Sequence, residues 1–377
     1  MGVIKEHNEK APHKRRKIVI MVYLVIGIIF IGFLIIFINS PGKLPPLKDT
    51  QGNVISDSIS EKVWIEVNGI KQGMFIRGEN IQNPIILYLH GGPGTPMLQF
   101  ITYLEKEERL EKYFTVCYWD QRGSGMTYNK STDPSTMTVS QMVEDTRAVT
   151  EYLKSRFGQN KIYLIGHSWG SYLGVKTIEK YPENYLAYIG IGQVTNQVES
   201  ERLAYEFMLN HAQEINDQDV IKQLGKYNPY ADSFPQLDYL VKVRTNMLNK
   251  YGIGHLHQGL SSTDIPKSLF VFKGYTLIEK VNWFLGADFS MVHLFPAVLE
   301  DNLFISSTKF EVPFYIIQGD YDYMVSQVLA EKYLDVIEAP KKDFFSFANS
   351  AHSPNMEEPE KFIEILRNIA LENSPEE

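Results

Sequence analysis

The stretch Ile162-Tyr-Leu-Ile-Gly166-His167-Ser168-Trp169-Gly170 constrains the fold of this chain more than any other. A short apolar run enters a glycine, turns at a serine with a glycine two residues to either side, and leaves through Ser171–Lys180, which reads as a helix. A buried strand that turns so sharply into a helix strains the serine backbone and projects its Oγ above the sheet. The helix N-terminus beneath adds partial positive charge. The pentapeptide G-x-S-x-G by itself is weak, because with Gly near 7% usage it arises by chance in roughly one chain in ten of this size. Its placement between a strand and a helix gives it weight.

From Glu61 onward, short apolar runs alternate with longer periodic ones. Val63–Val67 and Met74–Ile76 read as an opening strand pair, and Ile85–Leu89, Phe114–Trp119 and Ile162–Ile165 as buried strands. Ala187–Ile191, Phe314–Ile317 and Phe344–Phe347 supply three more. Val139, Met142, Val143, Thr146, Val149, Leu153 and Phe157 recur at helical spacing with Gly158 as the stop, and Glu358–Ala370 reads as a closing helix. Strands separated by helices imply parallel βαβ units, so a mostly parallel sheet flanked by helices is expected. Residues 193–306 lack strand-like runs and hold helical candidates such as Glu199–Ala212 and Leu237–Tyr251. They read as a helical cap inserted between two parts of one core, 61–192 and 307–377.

A second constraint lies at the N-terminus. Ile18 to Ile38 is an uncharged run of 21 residues, rich in Ile, Phe, Leu and Val, about the length a helix needs to cross the hydrocarbon core. Lys14-Arg15-Arg16-Lys17 lies directly before it, and only Lys43 and Lys48 follow soon after. By the positive-inside tendency, residues 1–17 are a cytoplasmic basic tail, 18–38 a transmembrane signal anchor, and the body lies across the membrane. A cleaved signal peptide has a shorter apolar stretch and a small-x-small exit, which Asn39-Ser40-Pro41 does not provide. Residues 39–60, with Pro41, Pro45 and Pro46, read as a linker.

Of the formal charge of −8, the first 17 residues contribute six Lys/Arg against two Glu, so the remaining 360 carry 31 basic and 43 acidic residues. So acidic a body argues against nucleic acid as a partner, since phosphate binding needs a basic face. The single Cys117 excludes an internal disulfide, a CxxC redox pair and a thiolate zinc site. HExxH is absent, and His255-x-His257 is a lone pair without a third ligand in view, so neither metal nor other cofactor is expected.

The partners of Ser168 follow from chain order: serine, then an acid after a strand, then histidine. Only His352, between the last strand and the last helix, lies late enough. His90, His167, His211, His255, His257 and His293 precede the acid and read as structural or surface residues. The acid is Asp320 or Asp322 in Gly319-Asp-Tyr-Asp322, directly after a strand. Asp322 is preferred, because the tighter Asp320 position suits an Asx turn. An oxyanion hole needs backbone N–H groups with no side chain in the way. The glycines of His90-Gly91-Gly92-Pro93-Gly94, right after strand Ile85–Leu89, suit it, and the N–H groups of Gly92 and Trp169 are assigned to it.

At this point the chain resembles the prolyl iminopeptidase family of serine peptidases within the α/β-hydrolase fold. The matching residues are His90-Gly-Gly-Pro-Gly94, Trp119-Asp-Gln-Arg-Gly-Ser-Gly125, Gly166-His-Ser-Trp-Gly170, Gly319-Asp-Tyr-Asp322 and His352-Ser-Pro-Asn-Met-Glu-Glu-Pro359. The resemblance runs from about Glu61 to Leu371 and implies a helical cap, an acyl-enzyme on Ser168, and Asp322 as the acid. Asp120 and Arg122 then read as a buried ion pair shaping the loop beside the site. The family holds the substrate's free α-amino group with cap carboxylates; Glu199, Glu201, Glu206, Asp264, Glu279 and Asp288 are available, none in a matched motif.

The resulting expectation is a membrane-anchored serine hydrolase, an aminopeptidase acting on small peptides. The alternatives are an esterase or amidase of the same fold acting on small acyl substrates, and a non-catalytic membrane-tethered binding protein. Ser168 at the elbow excludes the relatives that use a carboxylate nucleophile.

Overall fold

The computed structural model of the chain describes residues 11–104, 108–258 and 264–373. Among the described residues eight strands form one sheet: β1 (Ile59–Val67), β2 (Ile70–Gly78), β3 (Ile85–Leu89), β4 (Thr115–Trp119), β5 (Ile162–His167), β6 (Tyr185–Ile191), β7 (Phe314–Gly319) and β8 (Lys342–Phe347). Their order is β1-β2-β4-β3-β5-β6-β7-β8. β1 and β2 pair antiparallel, β2 pairs antiparallel with β4, and every later pairing is parallel. The opening strand pair and the six later runs all form strands, with β1 and β2 reaching further than their apolar segments. The ladder Ile59↔Gly78 through Val67↔Ile70 carries them on.

The central strands are buried on both faces. Leu87, Cys117, Leu164 and Ile316 point into one apolar layer, while Ile86, Val116, Ile165 and Ile317 point into the other. Continuous apolar runs are what a sheet covered on both sides requires. The helix Val139–Phe157 covers the first layer. Thr138 caps it by accepting from the Gln141 N–H at 3.1 Å, and Gly158 ends it at φ 67°.

Between β6 and β7 the described chain is helical, with Gln197–Glu214, Gln218–Leu224, Thr245–Lys250, Asp264–Val271 and Leu277–Glu300. The first of these pack around an apolar cluster of their own, which includes Tyr205, Met208, Tyr239 and Leu248. Leu237–Tyr251 is not one α-helix. Tyr239–Arg244 is a π-helical turn leading into Thr245–Lys250, and Tyr239, Val243 and Arg244 all face inward there.

The N-terminal helix runs Ala11–Ile38, and its span Val19–Ile38 has mean hydropathy 3.2 and no buried share. Residues 1–10 of the expected basic tail lie outside the described residues. The stretch read as a linker is laid along the body instead of standing free. Lys43 N–H donates to Lys273 O at 3.0 Å, Ser60 Oγ donates to Pro45 O at 2.7 Å, and Leu47 is buried.

Candidate active site

Ser168 sits between β5 and the helix Trp169–Lys180 at φ 56°, ψ −121°, outside the regions a side chain-bearing residue normally adopts. The turn holds because nothing crowds it. A Cβ on Gly166 would collide with the Gly170 carbonyl, and one on Gly170 with the carbonyl of Leu89. Ser168 N–H donates to Ile191 O at 2.9 Å, tying the elbow to β6. The first N–H groups of the helix behind it, Trp169 included, have no acceptor within the helix. The Trp169 side chain is anchored apart, its Nε1 donating to Gln121 Oε1 at 2.9 Å.

His352 and Asp322 lie together. His352 Nδ1 is 2.8 Å from Asp322 Oδ2, and both side chains are buried. Because a carboxylate only accepts, Nδ1 carries the proton, and Nε2 is the ring's free lone pair. That Nε2 is buried and has no hydrogen-bond partner among the described residues. Asp322 is held in turn by Gln318 Nε2 at 2.7 Å and by the N–H groups of Met324 and Val325, each at 3.0 Å. The Asx-type contacts expected of Asp320 are therefore made by Asp322. Asp320 is exposed, accepts from Ser346 Oγ, and does not touch His352.

His167, read as structural, adjoins the site. Its Nε2 donates to His352 O at 2.9 Å and the two rings stand 4.9 Å apart. Burial, then the neighbouring His352, pushes His167 down to about 3, and His255 is pushed to about 3 by the same two causes in the same order. Both are neutral at pH 7 and leave Asp322 to His352. Glu357 pins the surrounding loops by accepting from Ala351 N–H at 2.8 Å and His257 N–H at 2.6 Å. It lies in the motif that begins at His352, but only the fold brings it to Ala351 and His257.

His90 also has a positioning role. Its Nδ1 lies 2.9 Å from Gly91 O, and its Nε2 lies 3.3 Å from the Gln121 nitrogen, which donates to it. This fixes the Gly91–Gly94 loop against the Trp119–Gly125 loop. Burial keeps His90 neutral, at about 4. The ion pair expected between Asp120 and Arg122 is absent. Arg122 binds Asp145, Nε to Oδ2 at 2.7 Å, from the helix behind the sheet. Asp120 instead accepts from Met126 N–H and Tyr275 Oη, each at 2.8 Å. The two side chains, two residues apart, thus find different partners, Arg122 on the helix Val139–Phe157 and Asp120 on Met126 and Tyr275.

Above Ser168 is a cavity of about 710 Å³, walled by Gly91, Gly92, His167, Ser168 and His352 below and by the helices between β6 and β7 above. Among the described residues lining it there is no Asp or Glu, and Arg244 is the one permanent charge. Arg244 is occupied by buried Glu201, Nη2 to Oε1 at 2.7 Å. The other carboxylates considered for an amine lie elsewhere. Glu199 pairs with Arg202, Glu206 accepts from Tyr230, Asp264 pairs with Lys267, Glu279 pairs with Lys62, and Asp288 is exposed.

The family described as alpha/beta hydrolase fold matches residues 84–359. Among curated relatives, the probable aminopeptidase YbaC of Bacillus subtilis (strain 168) is 34% identical over 82% of this chain and 96% of its own. A proline iminopeptidase of Saccharolobus solfataricus is 25% identical over 76% of this chain and 84% of its own. Among solved structures, the proline iminopeptidase of Mycobacterium smegmatis superposes with TM-score 0.57 at 15% identity, over 83% of this chain and 98% of that one. The resemblance carried by the five motifs thus holds for family and fold.

Proposed function

The chain belongs to the α/β-hydrolase fold family, and we propose that it is a membrane-anchored serine hydrolase of aminopeptidase type, working through an acyl-enzyme on Ser168. The observation that carries the proposal is the 2.8 Å contact of His352 Nδ1 with Asp322, which leaves a bare, buried Nε2 on the cavity that Ser168 lines. In this reading His352 Nε2 takes the Ser168 hydroxyl proton as Oγ attacks the substrate carbonyl. The Gly92 and Trp169 N–H groups receive the developing oxyanion. The imidazolium, steadied by Asp322, returns the proton to the leaving amine. Water then repeats the sequence to free Ser168. The basic cluster before the apolar helix supports, by the positive-inside tendency, a reading with the N-terminus in the cytoplasm and the catalytic body outside.

The peptidase assignment draws support from the relatives named aminopeptidase and proline iminopeptidase. A second reading, an esterase acting on acyl substrates, is favoured by the lack of a carboxylate among the described residues lining the cavity, since an ammonium bound there would meet only Arg244. Free and N-acetylated aminoacyl amides, assayed beside acyl esters, separate the two. An aminopeptidase loses roughly 10²-fold or more in kcat/KM on acetylation, and an esterase treats both alike. Labelling by a serine-directed phosphonate that persists in Ser168→Ala would defeat either reading.

A further inference from the structure

The long helix Leu277–Glu300 has an apolar stripe, unpartnered among the described residues, that leads to the mouth of the cavity. Ile278 is 72% exposed and Leu285 50%, with Val281 and Phe284 exposed between them. At 100° per residue all four fall on one side of the helix. Farther along the same side, Val292 is 57% exposed and also lines the cavity. Across the mouth stand Leu237 and Val241, 70% and 66% exposed and likewise part of the lining. The rim is thus apolar from both sides. A run of large exposed hydrophobics ending at an opening marks a binding surface more often than a solvated one.

The fold also indicates what covers it. The apolar N-terminal helix ends at Ile38, and the next residues bind the start of the long helix directly. Lys280 Nζ donates to Asn39 O at 2.8 Å, Pro41 bridges to Thr276, and Lys43 N–H donates to Lys273 O at 3.0 Å. If Val19–Ile38 spans a bilayer, Asn39 lies at headgroup depth, and so does the start of the long helix that binds it through Lys280, with Ile278 and Val281. Phe270 and Val271, also exposed, precede Lys273 in the chain, and exposed Lys267 precedes them. Lysines beside exposed apolar residues can lay their stems along an apolar surface and keep their charged ends among the headgroups. Asp288 is the stripe's one acidic residue.

We propose that this apolar stripe rests on the bilayer, and that the cavity takes a substrate with an extended apolar acyl group, which enters from the membrane between Val292 and Val241. The proposal rests on the anchor and acyl-enzyme readings above and, for the substrate, takes up the second reading, that of an esterase acting on acyl substrates. A cavity of about 710 Å³ is ample for such a group.

The test uses the full chain in vesicles of mixed zwitterionic and anionic lipid. Cys117 is buried, so a polarity-sensitive thiol dye can be placed at Leu285→Cys, at Glu331→Cys, exposed on the separate helix Gln327–Val336, or at Ile28→Cys in the N-terminal helix. The dye at 285 should be quenched by lipid-borne bromine and shielded from aqueous iodide, with the reverse at 331. If 285 behaves like 331 while 28 is quenched by lipid, the anchor stands and the proposal is overturned. Iodide reaching position 28 sinks the anchor and the proposal together. Shielding of 285 from both quenchers means a second copy covers the stripe, which also overturns it. On p-nitrophenyl esters, kcat/KM should rise roughly fourfold per added methylene until the cavity is full. A flat or falling series refutes the substrate side, whereas turnover that survives Ser168→Ala would instead refute the acyl-enzyme.

Discussion

Ser168, His352 and Asp322 act as one unit in the proposed mechanism, so their losses should not add. Ser168→Ala or His352→Ala is expected to lower kcat by about 10⁶-fold, and Asp322→Asn by about 10⁴-fold, because Asn presents the wrong partner to Nδ1–H. Circular dichroism should show the fold intact in each. Asp320→Asn, exposed and remote from His352, should leave kcat within a few-fold, and a larger loss there would reverse the choice of acid. A subtler site is Gly192, at φ 57°, where a Cβ would come 2.8 Å from His352 Cε1. Gly192→Ala should displace the imidazole and cost about 10²-fold in kcat, with KM nearly unchanged. Equal loss of thermal stability and activity would instead show general disruption.

At the scale of elements, the loops around the site are set by buried titratable groups with opposite pH signatures. Burial raises the Asp120 carboxyl from 3.8 to about 7. Between those values the folded chain keeps a proton the unfolded chain has released, so this contribution to stability is full below about 3.8 and lost as pH rises through about 7. Buried His90 and His167, held at about 4 and about 3, do the reverse. Below about 6.5 the unfolded chain binds protons they refuse, so stability falls as acid is added. Asp120→Asn keeps an acceptor for Tyr275 Oη but cannot ionise. Its stability relative to the parent should therefore climb between pH 4 and 7 in denaturant titrations, and parallel curves would show that Asp120 is not the group responsible.

For the whole molecule, the segment after the N-terminal helix matters because it is part of the body. Leu47 is buried and Leu44 packs against the second core layer. A chain beginning at Ser40 should be soluble and as active on water-soluble substrates as the parent. One beginning at Ser56 loses both leucines, about 1.5–3 kcal/mol for each one fully buried, and should melt several degrees lower. Equal melting temperatures would return 39–55 to the status of a free linker.

What the sequence determined by itself was local and ordered: eight strands from their apolar runs, the elbow from glycines at fixed spacing around Ser168, and His352 from its place after the last strand. Such features are written in residues next to one another, and parallel βαβ connections leave few ways to assemble them. The choice between Asp320 and Asp322 stood two residues apart in one turn, and only the strand's direction of exit sends Asp322 to His352 and Asp320 outward. The partner of Arg122 is Asp145, 23 residues on in the helix Val139–Phe157, rather than Asp120 two residues before it, and only the packing of that helix against the loop brings the two together. The cavity depends on tertiary structure most of all. Carboxylates in the helices between β6 and β7 are plentiful in the sequence, yet packing turns each toward an arginine, a lysine, a tyrosine or solvent. Which side chains wall the space above Ser168 is settled by helix orientation, which no single stretch of the chain encodes.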